Sequence, residues 1–221
     1  MKKDLTEIVF ILDKSGSMSG LEKDTIGGYN AFVEKQKAVE GGALVSTILF
    51  SDRSEVIHDR VPLAEVEKLT EAEYSVGGCT ALLDAVGLAI QHIVTIHKYA
   101  REEDRPEKTV FVITTDGEEN SSREYSYPRL NSMIERQQEA SGWEFIFLGA
   151  NIDAISEGAK LGISQDRAVS YECDGAGTLL NFACVGEAIR RVRTGRSLDA
   201  SWKCDIEDYH AAKKAGKSRR S

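Results

Sequence analysis

A chain of 221 residues, 41% hydrophobic, is long enough for one large domain with a full core. Its net charge of −8 argues against a general nucleic-acid binder. With three prolines, no Ser/Gly-rich tract and no internal repeat, no linker marks a second domain.

In chain order, the first apolar run is IVFIL (8–12), a short β-branched stretch that predicts a buried strand. It is too short and too acid-flanked for a signal peptide. LEKDTIGGYNAFVEKQKAV (21–39) puts Ile26, Tyr29, Phe32 and Val33 on one stripe of a helix. LVSTILFSDRSEVIHDRV (44–61) reads as two strands around a polar turn at 51–54, a hairpin that supplies one antiparallel edge. TALLDAVGLAIQHIVTIHKYA (80–100) predicts a helix apolar around much of its circumference, as packing on a sheet requires. TVFVITT (109–115) and WEFIFLG (143–149) predict strands, with a helix over 127–140 between them. A helix over 153–162, a weaker strand AVSYE (168–172) and a helix over 178–193 complete the series. Gly162 and Gly195 are the expected stops of the last two helices.

Strands that are apolar throughout suit a parallel sheet covered on both sides. The fold class expected is therefore α/β: a three-layer, Rossmann-like, doubly wound sheet of order 3-2-1-4-5-6, mostly parallel with one antiparallel edge strand. The domain is expected to span 1–195. Residues 196–221 form a C-terminal extension, with Trp202 as a potential anchor and a partly disordered basic tail, KKAGKSRRS (213–221). No segment has the length to span a bilayer. The four cysteines, Cys79, Cys173, Cys184 and Cys204, show no CxxC spacing, so reduced thiols and a cytoplasmic location are expected.

In such a sheet, ligands sit beyond the carboxyl ends of the strands, where the winding reverses between strands 1 and 4. Asp13 ends strand 1 and Asp116 ends strand 4. In VFILDKSGSM (9–18), Asp13, Ser15 and Ser17 alternate, and alternate side chains of an extended stretch point the same way. GGCTALLD (77–84) brings Thr80 at the mouth of a helix. Five oxygen-bearing side chains, with no sulfur or imidazole, fit a hard cation. Mg²⁺ is favoured over Ca²⁺ for its near-octahedral shell at ~2.0–2.1 Å. Only two of the five are charged, so the cation keeps an appetite for an anionic oxygen from outside, such as a partner's carboxylate.

At these residues DKSGSM, the GGCT threonine and TTDGEEN resemble the three parts of the metal-ion-dependent adhesion site (MIDAS) of von Willebrand factor type A domains. Its pattern, D-x-S-x-S followed by a distant Thr and a distant Asp, is matched at Asp13, Ser15, Ser17, Thr80 and Asp116. The resemblance covers roughly residues 5–195 and is to intracellular members of prokaryotic or phage type. It implies a Rossmann-like fold and Mg²⁺- or Mn²⁺-dependent binding of a partner protein through its Glu or Asp. It also implies serines in direct contact with the metal, with the threonine and acids reaching it directly or through water. Intracellular relatives suggest an ATPase or stress-response complex as the setting, with neither membrane nor nucleic acid as partner.

Two other functions compete with this one. A haloacid-dehalogenase-type phosphatase also places an Asp after strand 1 and uses Mg²⁺, but it needs a second Asp two residues on. Ser15 stands there and cannot transfer that proton at neutral pH. No GxSxG, Walker loop or GxGxxG appears, so no enzyme is expected. A degenerate scaffold without metal is opposed by the intact five-residue match. Around the site, Asp84 reads either as a hydrogen-bond partner of the outer site or as a first-turn helix acid. Glu118, Glu119 and Asn120 read as a rim of the site or as a solvated loop. The four histidines read as structural or exposed, and Cys79 as a small buried residue.

Overall fold

The computed structural model describes residues 1–218. Strand β1 (Lys2–Asp13) is followed by α1 (Glu22–Lys37), the antiparallel pair β2 (Gly42–Phe50) and β3 (Ser54–Pro62), and α2 (Leu82–Tyr99). Then come β4 (Pro106–Thr115), α3 (Tyr127–Ser141), β5 (Glu144–Ala150), α4 (Ala154–Lys160), β6 (Ala168–Tyr171), α5 (Gly175–Arg193) and α6 (Cys204–Ser218). The sheet has the order β3-β2-β1-β4-β5-β6, and β3 alone is antiparallel to its neighbour. This is the predicted α/β architecture, with its reversal between β1 and β4.

Period-two alternation divides each central strand between two cores. Ile8, Phe10 and Leu12 face α1 and α5, together with Val110, Val112, Ile146 and Leu148. Val9 and Ile11 face α2 and α3, together with Phe111, Ile113, Phe145 and Phe147. On the first face Phe10 meets Phe32 edge-on, with ring centroids 4.7 Å apart. On the second, Phe111 stacks on Phe145 at 4.9 Å. Such large, fully buried side chains each contribute about 1.5–3 kcal/mol, which fixes the strands and therefore their tips. In the register, Leu12 lies beside Leu49 on one side and Thr114 on the other.

The elements differ from the sequence reading mainly at their ends. Strand β1 begins at Lys2, because its exposed first residues pair at the sheet margin where no apolar signal is needed. Helix α2 begins at Leu82, leaving Thr80 in the loop before it. Helix α5 begins at Gly175, because the Asp174 carboxylate caps it by accepting from the Gly177 amide (2.8 Å). Gly162 and Gly195 have φ of +80° and +72°, the left-handed conformation that ends a helix.

The C-terminal extension packs on the domain. Trp202 is buried and donates to the Asp166 carbonyl (2.8 Å), and the neighbouring Lys203 ammonium donates to the carbonyls of Gln165 and Ala168. Helix α6 follows and rests on β6 and α5. The basic stretch expected to fray is helical through Ser218, held in part by a Lys213–Asp174 ion pair (2.9 Å). Residues 219–221 of that stretch lie outside the described residues.

Candidate metal centre

Strand β1 ends where its backbone leaves the sheet at Asp13, and the carboxylate is gripped immediately. Oδ1 accepts from the Ser15 amide (2.7 Å), the local turn an aspartate forms two residues ahead of itself. Oδ2 accepts from the Thr115 hydroxyl (2.7 Å) at the tip of β4. The buried Tyr74 hydroxyl donates to the Asp13 carbonyl. Neither Tyr74 nor Thr115 was legible as a site residue. Thr115 carries a faint signal, since TT precedes Asp116, but Tyr74 reaches Asp13 from 61 residues away.

From this anchor the chain turns through Ser15, Gly16 and Ser17. Two main-chain bonds fasten the next loop to it: Gly16 N–H to the Gly78 carbonyl (3.0 Å) and Gly77 N–H to the Lys14 carbonyl (2.8 Å). Gly78 has φ +83°, a conformation side chains resist. That loop delivers Thr80, which is 3% exposed. Asn120 then clamps Thr80 on both sides. Its side-chain oxygen accepts from the Thr80 amide (2.9 Å), and its own amide donates to the Thr80 carbonyl (3.1 Å). Asn120, read as rim or solvated loop, therefore ties the threonine loop to the Asp116 loop.

The five predicted residues converge. The Ser15 and Ser17 hydroxyls are 3.0 Å apart, and Ser17 donates to Asp116 Oδ1 at 2.5 Å. A Cβ on Gly117 would lie 3.3 Å from the Ser17 hydroxyl and 3.6 Å from that of Thr80, so both hydroxyls flank this glycine. Asp13, Ser15 and Asp116 are 1–2% exposed. The Lys14 ammonium turns away to Glu55 (2.8 Å), and no basic side chain pairs with either aspartate among the described residues. Burial raises the pKa of both carboxyls. Hydrogen bonds from Ser15 and Thr115 oppose the shift at Asp13, and one from Ser17 opposes it at Asp116, where the Asp13 charge adds to the rise. Two buried acids of like charge without a counter-ion form a place where a cation is favoured. The donors fit a hard divalent ion: two carboxylates and three hydroxyls, all oxygen. Among the described residues no group of three or more His, Cys, Asp or Glu side chains offers an alternative metal site.

The surrounding candidates have other work. Asp84 does not reach the five oxygens; its carboxylate accepts from the Arg123, Glu124 and Tyr125 amides (2.8, 2.9 and 2.9 Å), pinning the loop after β4 to α2. Glu119 likewise points inward, to the amides of Leu83, Ser121 and Ser122. Glu118 is exposed. Cys173, read in the sequence only as one of four reduced thiols, brings its thiol to 3.9 Å from Asp116 Oδ2. Cys79 is exposed and not buried, because it rides the loop tip after Gly77 and Gly78. The histidines lie apart from the five oxygens: His58 at Thr47, His92 at Asp59, His97 at Glu7 and His210 at Glu172.

A family model described as von Willebrand factor type A domain matches residues 7–174. No curated protein matches the chain by sequence. Among solved structures, proximal thread matrix protein 1 from the mussel byssus, solved with a zinc-occupied MIDAS motif, is 16% identical with a TM-score of 0.55, covering 85% of this chain and 45% of that one. The chain thus spans under half of the mussel protein's length. The vWF domain of the type V pili tip protein Mfa5 from Porphyromonas gingivalis is 12% identical, with a TM-score of 0.59 and coverage of 83% and 94%. Manganese-loaded TRAP protein from Plasmodium vivax is 15% identical, with a TM-score of 0.57 and coverage of 82% and 74%. At these identities the likeness is one of fold.

Proposed function

This chain belongs to the von Willebrand factor type A domain family, and from that premise we propose that it is a metal-dependent protein-binding module. Asp13, Ser15, Ser17, Thr80 and Asp116 would hold Mg²⁺, or Mn²⁺ in its place. The observation that carries the reading is the pair of buried aspartates, Asp13 and Asp116, linked through Ser15 and Ser17 and without a positive side chain among the described residues. Zinc and manganese in the two related structures support a divalent ion in general. The oxygen-only donor set favours Mg²⁺. A bound ion would supply Lewis acidity toward an anionic oxygen, and the ligand from outside is a Glu or Asp carboxylate of a partner protein. The chain's own part is to hold the hydroxyls and acids in place from three loops.

We propose binding and not turnover. A phosphatase of the haloacid-dehalogenase type would need an acid at position 15, and the Ser15 hydroxyl lies instead against Ser17 (3.0 Å). Four free cysteines support a reducing compartment, the cytoplasm, and no helix among the described residues is long and apolar enough to cross a membrane. An ATPase or stress-response complex is the proposed setting.

A Mg²⁺ titration followed by thermal unfolding tests the reading. At about 100 times its dissociation constant the ion adds ~2.7 kcal/mol, which for a chain of this size raises the midpoint by roughly 5–11 °C. Asp13→Ala and Ser15→Ala should remove the rise. A wild type indifferent to millimolar Mg²⁺ and Mn²⁺ would mean a scaffold without metal. Mg²⁺-dependent hydrolysis of phosphate esters, lost in Asp13→Ala, would mean an enzyme. Capture of partners with and without chelator then identifies the binder.

A further inference from the structure

Beside the candidate metal centre, an open cleft of ≈ 680 Å³ lies between the tips of β5 and β6, the loop after β4, and helix α6. It adjoins Asp116. Asn151, which lines it, donates from Nδ2 to the Asp116 carbonyl (3.4 Å), and Glu118, which also lines it, is two residues beyond Asp116. The sheet order β4-β5-β6, with α6 resting on β6, puts Glu118 at the end near the metal centre and Lys214 at the far end.

Most charged groups of the cleft have partners. Asp153 caps α4 by accepting from the Ser156 amide (3.1 Å), and Glu172 faces His210 (3.4 Å). Glu118 and Lys214 have neither an ion pair nor a side-chain hydrogen bond among the described residues, and no ion pair joins them across the opening. Lys160 feels the charge of Glu118 but is itself held by Glu157. Ile152 and Tyr171 give the cleft an apolar lining next to these charges.

A partner segment that places a carboxylate on the metal has to continue over the neighbouring surface. In an extended segment, residues two apart point the same way and are about 7 Å apart. Asp116 and Glu118 are also separated by two residues, a span of at most about 7 Å. Resting on the metal-dependent reading above, we infer that the cleft receives a Lys or Arg of the partner, two residues from the acid that binds the metal. Its charge meets Glu118, and its methylene stem lies on Ile152 and Tyr171, as long basic side chains do on apolar surface. Lys214, of like charge, keeps the basic head at the Glu118 end. The recognition sequence is thus an acid and a base separated by one residue, in an extended segment.

The test uses the full chain, isotope-labelled, with millimolar Mg²⁺ and two capped pentapeptides, acetyl-GEAKG-amide and acetyl-GEAEG-amide. Affinities are read from NMR shift titrations. Exchanging an attractive exposed pair for a repulsive one predicts that the lysine peptide binds about 2–10-fold tighter, with the gap closing as salt is added. Glu118→Lys should reverse the order, whereas Glu139→Lys, at an exposed acid on α3, should leave it unchanged. Equal affinity for the two peptides, or the same change from Glu139→Lys, overturns the inference while the metal–carboxylate reading stands. Tighter binding of the glutamate peptide, lost in Lys214→Glu, also overturns it and gives the cleft to a second acid. If neither peptide binds in a Mg²⁺-dependent way, the metal–carboxylate reading fails and the inference falls with it.

Discussion

Thr115→Val isolates how the site is built without touching any of the five residues proposed to hold the metal. Valine matches threonine in shape, and Thr115 is fully buried, so the change removes little besides the hydroxyl. That hydroxyl donates to Asp13 Oδ2 at 2.7 Å and also lies 3.1 Å from the Gly117 carbonyl. A hydrogen bond to a charged group contributes about 1.5–3 kcal/mol, and its loss leaves a buried carboxylate oxygen short of a donor. The metal-free protein should therefore unfold roughly 3–12 °C lower, at 2–4 °C per kcal/mol for a chain this long. The carboxylate also loses the contact that fixes its orientation. Removing such a supporting partner typically costs ~10–100-fold in metal affinity, so the Mg²⁺ titration should move to higher concentration by that factor. Calorimetric titration and thermal unfolding on one preparation read both effects. An unchanged Mg²⁺ affinity in a folded Thr115→Val variant would refute the idea that β4 orients Asp13 for metal.

Three further outcomes are expected. His58 is half-buried against Thr47 and Tyr29, and burial lowers its pKa below 6.5, against the opposing pull of Glu67 and Glu73. The unfolded chain thus takes up the proton first: this contribution is complete above pH ~6.5 and is lost as pH falls through the folded value. Urea unfolding between pH 7.5 and 5 should show a slope that His58→Gln flattens. Gly78→Ala forces a side chain into φ +83° and toward the Asp52 carboxylate, 2.6 Å from the new Cβ, and should cost about 1–2 kcal/mol in chemical denaturation. Arg193→Met removes a buried guanidinium that donates to the carbonyls of Gln36 (2.6 Å), Val39 (3.1 Å) and Gly41 (2.8 Å). With the end of α1 stripped of its donors, a loss on the order of 3 kcal/mol is expected by the same method.

The central strands were legible because they are apolar on both faces, a pattern few other structures produce. Asp13 and Asp116 stood out for a related reason: a carboxylate directly after such a run lies at the carboxyl end of the strand, where the chain leaves the sheet. Thr80 was legible through its glycine-rich approach and its match to the motif's distant threonine, and the Asn120 clamp that positions it was not, since a side chain bonding main chain 40 residues away leaves no local periodicity. The same holds for Tyr74. Helix α6 went unread because its first turn is set by tertiary anchors, Trp202 and Lys203, and its polar sequence resembles a solvated tail. Cys79 misled because small apolar residues beside glycines are often buried, whereas this loop turns its tip outward.

If the aspartates are kept for a cation, they should be a burden when none is bound. Asp116 is 2% exposed, and burial raises its pKa, with the charge of Asp13 adding to the effect. Its compensation is one short bond from Ser17 and a weak contact with the Cys173 thiol. Asparagine keeps an oxygen for the Ser17 hydroxyl but carries no charge, so Asp116→Asn removes repulsion while retaining the bond. With chelator present, the variant should melt at or above the wild type. With Mg²⁺ present, the order should reverse, because only the wild type gains from the ion. A structural carboxylate would behave oppositely, since breaking a useful buried contact destabilises in either buffer. A variant that melts below the wild type in chelator, by as much as it does in Mg²⁺, would therefore assign Asp116 to the fold and leave the proposed metal site without its second charge.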